Sequence, residues 1–142
     1  MSTHNCPNII FHCIDFRLIK ETMIFINEKY GIGKCDIVSV AGSGKEIADD
    51  NEIIKNYLLK QIKISHDLHE SRKVVLIHHS DCGAYNNCYQ FNSQEEEKQK
   101  QIEDMKKAEV IIKEILSDVS VEKVWAQMLD PHGNKVDFII ID

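Results

Sequence analysis

Residues 73–84, KVVLIHHSDCGA, decide how the rest of this chain is interpreted. The β-branched run at 74–77 is typical of a buried strand, which ends at two histidines. The chain then turns through the Ser-Asp-Cys-Gly sequence at 80–83. His79 and Cys82 place a nitrogen and a sulfur ligand three residues apart on one tight turn, an arrangement that suits Zn²⁺. Because two ligands are only part of a zinc site, we expect at least one more elsewhere in the chain.

The composition predicts one globular domain over residues 1–142, with enough apolar side chains (43% hydrophobic) to form a core. The net charge of −6 argues against a nucleic-acid or anionic-membrane surface. No apolar run approaches the ~20 residues of a membrane span, and we expect no signal peptide. Five cysteines are an odd number for a disulfide framework, so we expect reduced thiols, metal binding and a cytoplasmic location.

Strands and helices alternate along the chain. The predicted strands are 8–13, 35–40, 73–78, 121–129 and 135–141, and the predicted helices are 17–30, 51–69 and a long helix that begins after Ser93. This alternation predicts an α/β fold with a Rossmann-like, mostly parallel sheet and helices on both faces. We expect the strand order 2-1-3-4-5, with the last strand antiparallel across a hairpin.

Two helix starts carry capping signals. Asp49 with Glu52, and Ser93 with Glu96, each match the spacing of a capping box. The run at 94–107 is highly charged but of mixed sign. We interpret it as the solvated face of the long helix rather than as a binding tail.

The predicted strand order brings a third ligand to the pair. In a doubly wound sheet, sites form at the carboxyl ends of strands where the strand order reverses, which is between the first and third strands here. Cys13 ends the first strand, so we expect its sulfur to lie beside His79 and Cys82. Three protein ligands with one open position are the catalytic pattern of zinc, whereas four ligands are the structural pattern.

Two charged residues follow Cys13 at alternate positions. Asp15 can approach the metal from the same side as Cys13, because alternate residues after a strand end can point the same way. Arg17 can then bind the Asp15 carboxylate through a forked, charge-assisted pair. The carboxylate can accept a proton from metal-bound water, or it can bind the metal and close the fourth position.

The motifs CxDxR at 13–17 and HxxCG at 79–83 resemble the signature of the β-class carbonic anhydrases. Both motifs occur in the same order as in that family and at predicted strand ends. Ala-Gly at 41–42, after the second strand, and Gly133 in the closing hairpin support the resemblance. The similarity extends from about residue 9 to the C-terminus and is greatest to the short, minimal members of the family.

The resemblance implies that Cys13, His79 and Cys82 bind Zn²⁺ and that Asp15 and Arg17 form a catalytic dyad. The implied activity is that of a carbonate dehydratase, in which a zinc-bound hydroxide converts CO₂ to bicarbonate. The family also implies a homodimer or higher homo-oligomer with pockets near the subunit interface. Candidates for the apolar substrate pocket are Phe16, Val40, Ala41, Gly42, Gly83 and Tyr85.

Some assignments stay open at this point. His78 competes with His79 as a ligand; the family match selects His79, which leaves His78 as a core residue or a proton-transfer group. His12 either packs beside Cys13 or shuttles protons, and Lys45 can help a backbone loop bind a small anion.

Two other functions use the same residues. One is hydrolysis of another small heterocumulene, such as carbonyl sulfide, at the same metal. The other is a non-catalytic zinc-binding domain, in which Asp15 would close the metal as its fourth ligand.

Overall fold

A computed structural model of the chain describes residues 4–142. Its strands are β1 (Asn8–His12), β2 (Cys35–Ser39), β3 (Lys73–His79), β4 (Ser120–Met128) and β5 (Val136–Ile141). They form one sheet in the order β2-β1-β3-β4-β5, in which β1 to β4 pair in parallel and β5 is antiparallel to β4. The predicted strand order and the antiparallel last strand are therefore confirmed.

Helices cover both faces of the sheet, as predicted. They are α1 (Ile19–Lys29), α2 (Lys45–Ala48), α3 (Glu52–His69), α4 (Gly83–Asn86) and α5 (Gln94–Ile115), with single 3₁₀ turns at Phe16–Leu18 and Ile32–Lys34. Helix α1 packs on one face, and α2, α3 and α5 pack on the other. No helix within residues 4–142 is both long enough and apolar enough to cross a membrane.

The central strands are recognisable in the sequence because both of their faces are buried. Ile9 and Phe11 of β1 pack against α3 and α5, whereas Ile10 between them packs against α1. Strand β3 alternates in the same way. Strands buried on both sides have nearly continuous apolar sequences, which is how β1 and β3 appear in the chain.

Ser93 caps α5 as predicted, since its hydroxyl accepts a hydrogen bond from a backbone N–H of the first turn. The prediction that Asp49 caps α3 is wrong. Asn51 caps that helix and accepts from the N–H of Ile54 at 3.2 Å. Asp49 instead binds Lys45, whose Nζ lies 2.6 Å from its carboxylate. The buried ammonium of Lys45 needs a counter-charge, and Asp49 supplies it.

The interpretation of residues 94–107 as a solvated helix face is wrong for one stripe of α5. Glu97, Gln101 and Asp104 lie at spacing i, i+4 and i+7 and are buried. They face the end of β3 and the loop after it, where backbone and hydroxyl groups need hydrogen-bond partners. A polar stripe on this helix is therefore part of the interior.

The β4–β5 hairpin contacts the 3₁₀ turn that contains Arg17. Gly133 in the hairpin has φ +72°, a conformation that favours glycine. A Cβ atom at this position would overlap the carbonyl oxygen of Arg17 and lie 2.9 Å from its carbonyl carbon. The contact is between two backbones, so neither side can yield by changing a side-chain rotamer.

We expect Gly133→Ala to lower the free energy of unfolding by about 1–3 kcal/mol, because it adds backbone overlap to an unfavourable φ. Urea denaturation measures this loss. Gly33→Ala is the matched control, since a Cβ there would meet no atom within 4 Å, and its effect should stay within about 0.5 kcal/mol. Equal losses in the two variants would contradict a close backbone contact between the hairpin and the turn.

Helix α5 is fixed to the sheet by a partly buried ion pair. Lys123 of β4 is buried, and its Nζ lies 2.6 Å from Oε1 of Glu109. Burial opposes ionisation of Glu109, but the ammonium of Lys123, assisted by Lys113, brings the pKa of that carboxyl below its usual value. The pair therefore stabilises the folded state in its ionised form.

We expect Glu109→Gln to cost about 1–3 kcal/mol of unfolding free energy at pH 7, because buried Lys123 loses its charged partner. The folded pKa of Glu109 lies below its unfolded value of about 4.3, so this stabilisation is complete above that value. It is lost as the pH falls through the folded pKa, so the difference from wild type should shrink below about pH 4. Urea denaturation at pH 7 and pH 3 measures it.

The control for this experiment is Glu114→Gln, which removes an exposed carboxylate from the same helix. It should change the stability by less than about 0.5 kcal/mol at either pH. If Glu109→Gln were as costly at pH 3 as at pH 7, the charge of Glu109 would not be the source of the stabilisation.

Candidate metal centre

The three predicted ligands meet at the carboxyl edge of the sheet. Strands β1 and β3 pair in parallel, so the residues that follow them emerge side by side. Cys13 follows β1, His79 ends β3, and Cys82 lies in the turn before α4. Their ligand atoms all lie within 4.8 Å of one another, and all three residues are buried. Among residues 4–142, this is the one group of three or more His, Cys, Asp or Glu side chains whose ligand atoms lie close enough together to hold a metal ion.

The imidazole of His79 presents one nitrogen to this cluster. Its Nδ1 donates a hydrogen bond to the carbonyl oxygen of Ser80 at 2.7 Å, which leaves Nε2 with the free lone pair. Nε2 is buried and has no hydrogen-bond partner among residues 4–142. A buried nitrogen without a partner is costly unless it binds something else. Two sulfurs and an imidazole nitrogen are a donor set that zinc prefers, so these residues fit that metal.

The two cysteines influence each other's ionisation. Against the effect of burial, the neighbouring Cys82 thiol holds the pKa of Cys13 well below its usual value, with a further contribution from His79. In return, Cys13 and burial raise the pKa of Cys82. Burial disfavours the charged form of His79, but the neighbouring Cys13 outweighs it and raises the pKa of that imidazole. A divalent cation would favour the thiolate form of both sulfurs, because metal ligands must be deprotonated.

Asp15 is fixed beside the cluster by Arg17. The Arg17 Nη2 lies 2.6 Å from Oδ2 of Asp15, and the Arg17 Nε and backbone N–H donate to Oδ1 at 3.1 and 3.0 Å. This guanidinium is the main reason that the pKa of Asp15 lies below its usual range. Oδ2 is 3.9 Å from Nε2 of His79, so the carboxylate faces the centre. The carboxylate is nevertheless not a member of the three-atom cluster.

The same guanidinium also binds the loop after β3. Its Nη1 donates to Oδ2 of Asp81 at 3.1 Å, and its Nη2 donates to the Asp81 carbonyl oxygen at 3.0 Å. Asp81 has φ +54°, a left-handed conformation that is uncommon for a residue with a side chain. Arg17 therefore connects Asp15 of one loop to a strained residue of the other. No sequence pattern indicated a role for Asp81, although it lies between two predicted ligands.

The other two histidines near the centre have internal roles. The Nε2 of His78 accepts from the N–H of Gly44 at 3.0 Å, and its Nδ1 donates to Gln101 at 3.1 Å. Complete burial lowers the pKa of His78 to about 3, so it is a neutral core residue. His12 is also buried, which lowers its pKa, and its Nε2 lies 2.5 Å from the hydroxyl of Ser39.

An open cleft gives access to the centre. The residues that line it are Cys13, Ile14, Asp15, Phe16, Arg17, Ala41, Asp81, Gly83, Ala84 and Asn86. Of the pocket residues expected from the sequence, Phe16, Ala41 and Gly83 lie in this lining. Val40 and Gly42 do not. Tyr85 is also absent from the lining; it is buried against Cys13 and Cys82, and its hydroxyl donates to Asp104 at 2.8 Å.

Lys45 does not face the cleft as a free anion-binding group. Its ammonium is buried against Asp49 and lies over the rings of Tyr85 and Tyr89. Among the residues that sequence reasoning missed, Glu97 had the clearest signal. Glu97 lies one helical turn before Gln101 and two turns before Asp104, so the three share one face of α5. This spacing indicates a buried polar stripe.

Comparison with protein families identifies one family for this chain. A family model described as putative carbonic anhydrase matches residues 3–135. An uncharacterised protein of Rickettsia bellii is 27% identical over 122 residues, which cover 83% of this chain and 74% of that protein.

Two solved structures share the fold. A carbonic anhydrase from Streptococcus mutans matches with a TM-score of 0.57 and 16% identity, over 100% of this chain and 87% of its own. One of the tetrameric β-carbonic anhydrases from Sordaria macrospora matches with a TM-score of 0.52 and 12% identity, over 95% and 81% of the two chains. Because the family model covers nearly the whole sequence and the sheet order agrees, this chain belongs to the putative carbonic anhydrase family and has the β-carbonic anhydrase fold.

Proposed function

We propose that this protein is a zinc-dependent carbonate dehydratase, which hydrates CO₂ to bicarbonate. The observation that best supports this proposal is the buried, unpartnered Nε2 of His79, which faces the sulfurs of Cys13 and Cys82. The carboxylate of Asp15, which is bound by Arg17, lies beside that group, and both residues line an open cleft. Membership of the carbonic anhydrase family agrees with the same activity.

Cys13, His79 and Cys82 would hold the zinc. When bound, zinc supplies a Lewis acid that allows a water molecule to lose its proton near neutral pH rather than near its usual pKa of about 15.7. The three side chains come from two loops and one strand end, so their positions depend on the contact between those loops. The hydrogen bond from His79 Nδ1 to Ser80 fixes the tautomer and the orientation of the imidazole.

Asp15 would orient the attacking water rather than remove its proton. Both carboxylate oxygens already accept hydrogen bonds from Arg17, which keeps the group ionised and limits its rotation. Oδ2 lies 3.9 Å from His79 Nε2, so it can accept one further hydrogen bond from a water in the centre. A fixed acceptor in this position aligns a lone pair of the water with the substrate carbon.

The cleft provides an apolar wall for a small apolar substrate. Ile14, Phe16, Ala41 and Ala84 contribute carbon atoms to its lining. CO₂ has no hydrogen atom to donate, so such a surface can hold it without losing hydrogen bonds. The proton released by the reaction must leave through the open side of the cleft.

A non-catalytic zinc domain is the main alternative. It requires a fourth protein ligand, and Asp15 is the residue that could serve. Arg17 engages that carboxylate on both oxygens, and Asp15 lies outside the three-atom cluster. These contacts favour a centre with three protein ligands and an open position, as an enzyme needs.

We also propose that the protein forms a homo-oligomer. Phe16 is 85% exposed beside the cleft, next to Ile14, which is also exposed. Apolar side chains grouped at the surface of a soluble protein often mark an interface. One of the similar structures, from Sordaria macrospora, is tetrameric.

The cytoplasmic location inferred from the sequence also stays a prediction.

The proposed activity is tested by stopped-flow measurement of CO₂ hydration at about pH 8.5, on protein with its zinc content measured in the same sample. We expect a rate well above that of the buffer. Asp15→Asn should keep its zinc and lose about 10²-fold or more of the rate, because an amide cannot replace the carboxylate as an acceptor fixed by Arg17.

Asp50→Asn is the control, since Asp50 is exposed and is not one of the residues that line the cleft. It should leave both the zinc content and the rate unchanged. A wild-type protein that binds one zinc per chain without hydrating CO₂ would contradict the proposed reaction. Turnover of carbonyl sulfide by that sample would then identify the heterocumulene alternative, and its absence would favour the non-catalytic domain.

A further inference from the structure

Glu97 of α5 is a buried carboxylate directed at the metal-site loop. Only 5% of its surface is exposed. Its Oε1 accepts from the N–H of Asp81 at 3.0 Å, and its Oε2 accepts from the N–H of Cys82 at 2.9 Å and from Gln101 Nε2 at 3.0 Å. Within residues 4–142 it forms no salt bridge. A carboxylate is therefore buried to bind the backbone of the loop, not to neutralise a cation.

The two N–H groups that Glu97 binds lie at the most constrained point of the loop. Asp81 has the left-handed φ of +54°, a conformation that is unfavourable for a residue with a Cβ. Successive N–H groups that point at one carboxylate fix the orientation of both peptide planes. One of these peptides leads directly into Cys82, so the contact with Glu97 restrains the backbone from which the sulfur of Cys82 extends.

The opposite side of the same loop binds the arginine. The carbonyl oxygen and the carboxylate of Asp81 both accept from Arg17, which in turn fixes Asp15. Asn86 donates to the remaining oxygen of Asp81 at 3.1 Å. A continuous series of hydrogen bonds thus extends from Glu97 through Asp81 and Arg17 to the carboxylate that faces the centre.

The neighbouring residues of the stripe support the loop in the same way. Gln101 donates to the carbonyl oxygen of His79 at 2.8 Å and accepts from His78. Asp104 accepts from the hydroxyl of Tyr85. Glu97 is the member of this stripe that binds two successive backbone N–H groups, those of Asp81 and of the predicted ligand Cys82, so it has the most direct effect on the position of that ligand.

We propose that Glu97 is a positioning residue of the metal centre, which sets Cys82 directly and sets the Asp15 carboxylate through Asp81 and Arg17. Its effect on the reaction rests on the proposed function, whereas its effect on the metal ligands does not. The hydrogen bonds of Glu97 go to backbone N–H groups and to Gln101, not to the atoms that would bind the metal. It acts by holding the loop in the one conformation that completes both the ligand set and the Asp15–Arg17 pair.

The test replaces the carboxylate with its closest isostere. Glu97→Gln keeps the size of the side chain but directs an NH₂ group at a backbone N–H, so one of the two loop contacts is lost. Zinc affinity is measured by competition with a chromophoric chelator, and the ligand geometry by the visible spectrum of the cobalt(II)-substituted protein. We expect a 10- to 100-fold weaker affinity and altered cobalt bands, as substitution of a group that orients metal ligands typically produces.

Glu95→Gln is the matched control. Glu95 is an exposed carboxylate in the same first turn of α5, so its loss changes the helix-terminus charge equally. It should leave zinc affinity within twofold of wild type and the cobalt spectrum unchanged. Both measurements are made well below the unfolding temperature, where a loss of global stability alone does not change the cobalt bands.

A double-mutant cycle tests the route to Asp15. Asp81→Asn weakens the contact with Arg17, and it should lower the CO₂ hydration rate on its own. If Glu97 acts through Asp81, the double variant should lose less than the product of the two single losses. Fully multiplicative losses would overturn the proposed route. If Glu97→Gln does not fold, Glu97→Asp replaces it in the cycle, because its shorter carboxylate cannot reach both N–H groups.

The outcomes separate this proposal from the proposed function. A wild-type protein without CO₂ hydration, but with weakened zinc binding and altered cobalt bands in Glu97→Gln, would reject the reaction and support the positioning role. Wild-type zinc affinity and cobalt bands in Glu97→Gln would reject the positioning role, whatever the wild-type rate.

Discussion

The candidate site depends on one interaction, the binding of two loops by the guanidinium of Arg17. One loop follows β1 and contains Asp15; the other follows β3 and contains Asp81. A parallel sheet brings these loops to the same edge but does not determine how they face each other. Arg17 does so because its planar fork binds a carboxylate on one side and a carboxylate with a carbonyl on the other. The Cys13 and Cys82 sulfurs can then approach one nitrogen of His79.

Polar residues outside the two sequence motifs hold much of this arrangement in place. Helix α5 is attached to β4 by the pair of Glu109 and Lys123, and its buried stripe binds the loop after β3. Glu97 and Gln101 are buried beside the metal-site loop, and they supply protein partners for backbone groups of that loop. The charged residues of α5 therefore serve two purposes, solvation on one face and support of the loop on the other.

The fold was largely predictable from the sequence, because buried parallel strands appear as short apolar runs and their connections follow fixed rules. The grouping of Cys13 with His79 followed from the same topology. What could not be predicted was which groups bind backbone. Asp81 and Glu97 belong to no sequence motif. Their partners include backbone groups, which almost every residue has, so the sequence carries no signal for these contacts. Local spacing predicts that Asp49 caps α3, whereas in the structure its carboxylate neutralises buried Lys45.

The central claim is that three protein ligands leave one position of a zinc ion open. Zinc K-edge X-ray absorption of the zinc-loaded protein, with and without added iodide, measures this most directly. We expect two sulfurs at about 2.3 Å and an imidazole nitrogen at about 2.0 Å, with iodide entering the first shell because Arg17 keeps Asp15 away. Fewer than two sulfurs, or a first shell that iodide does not change, would contradict the claim.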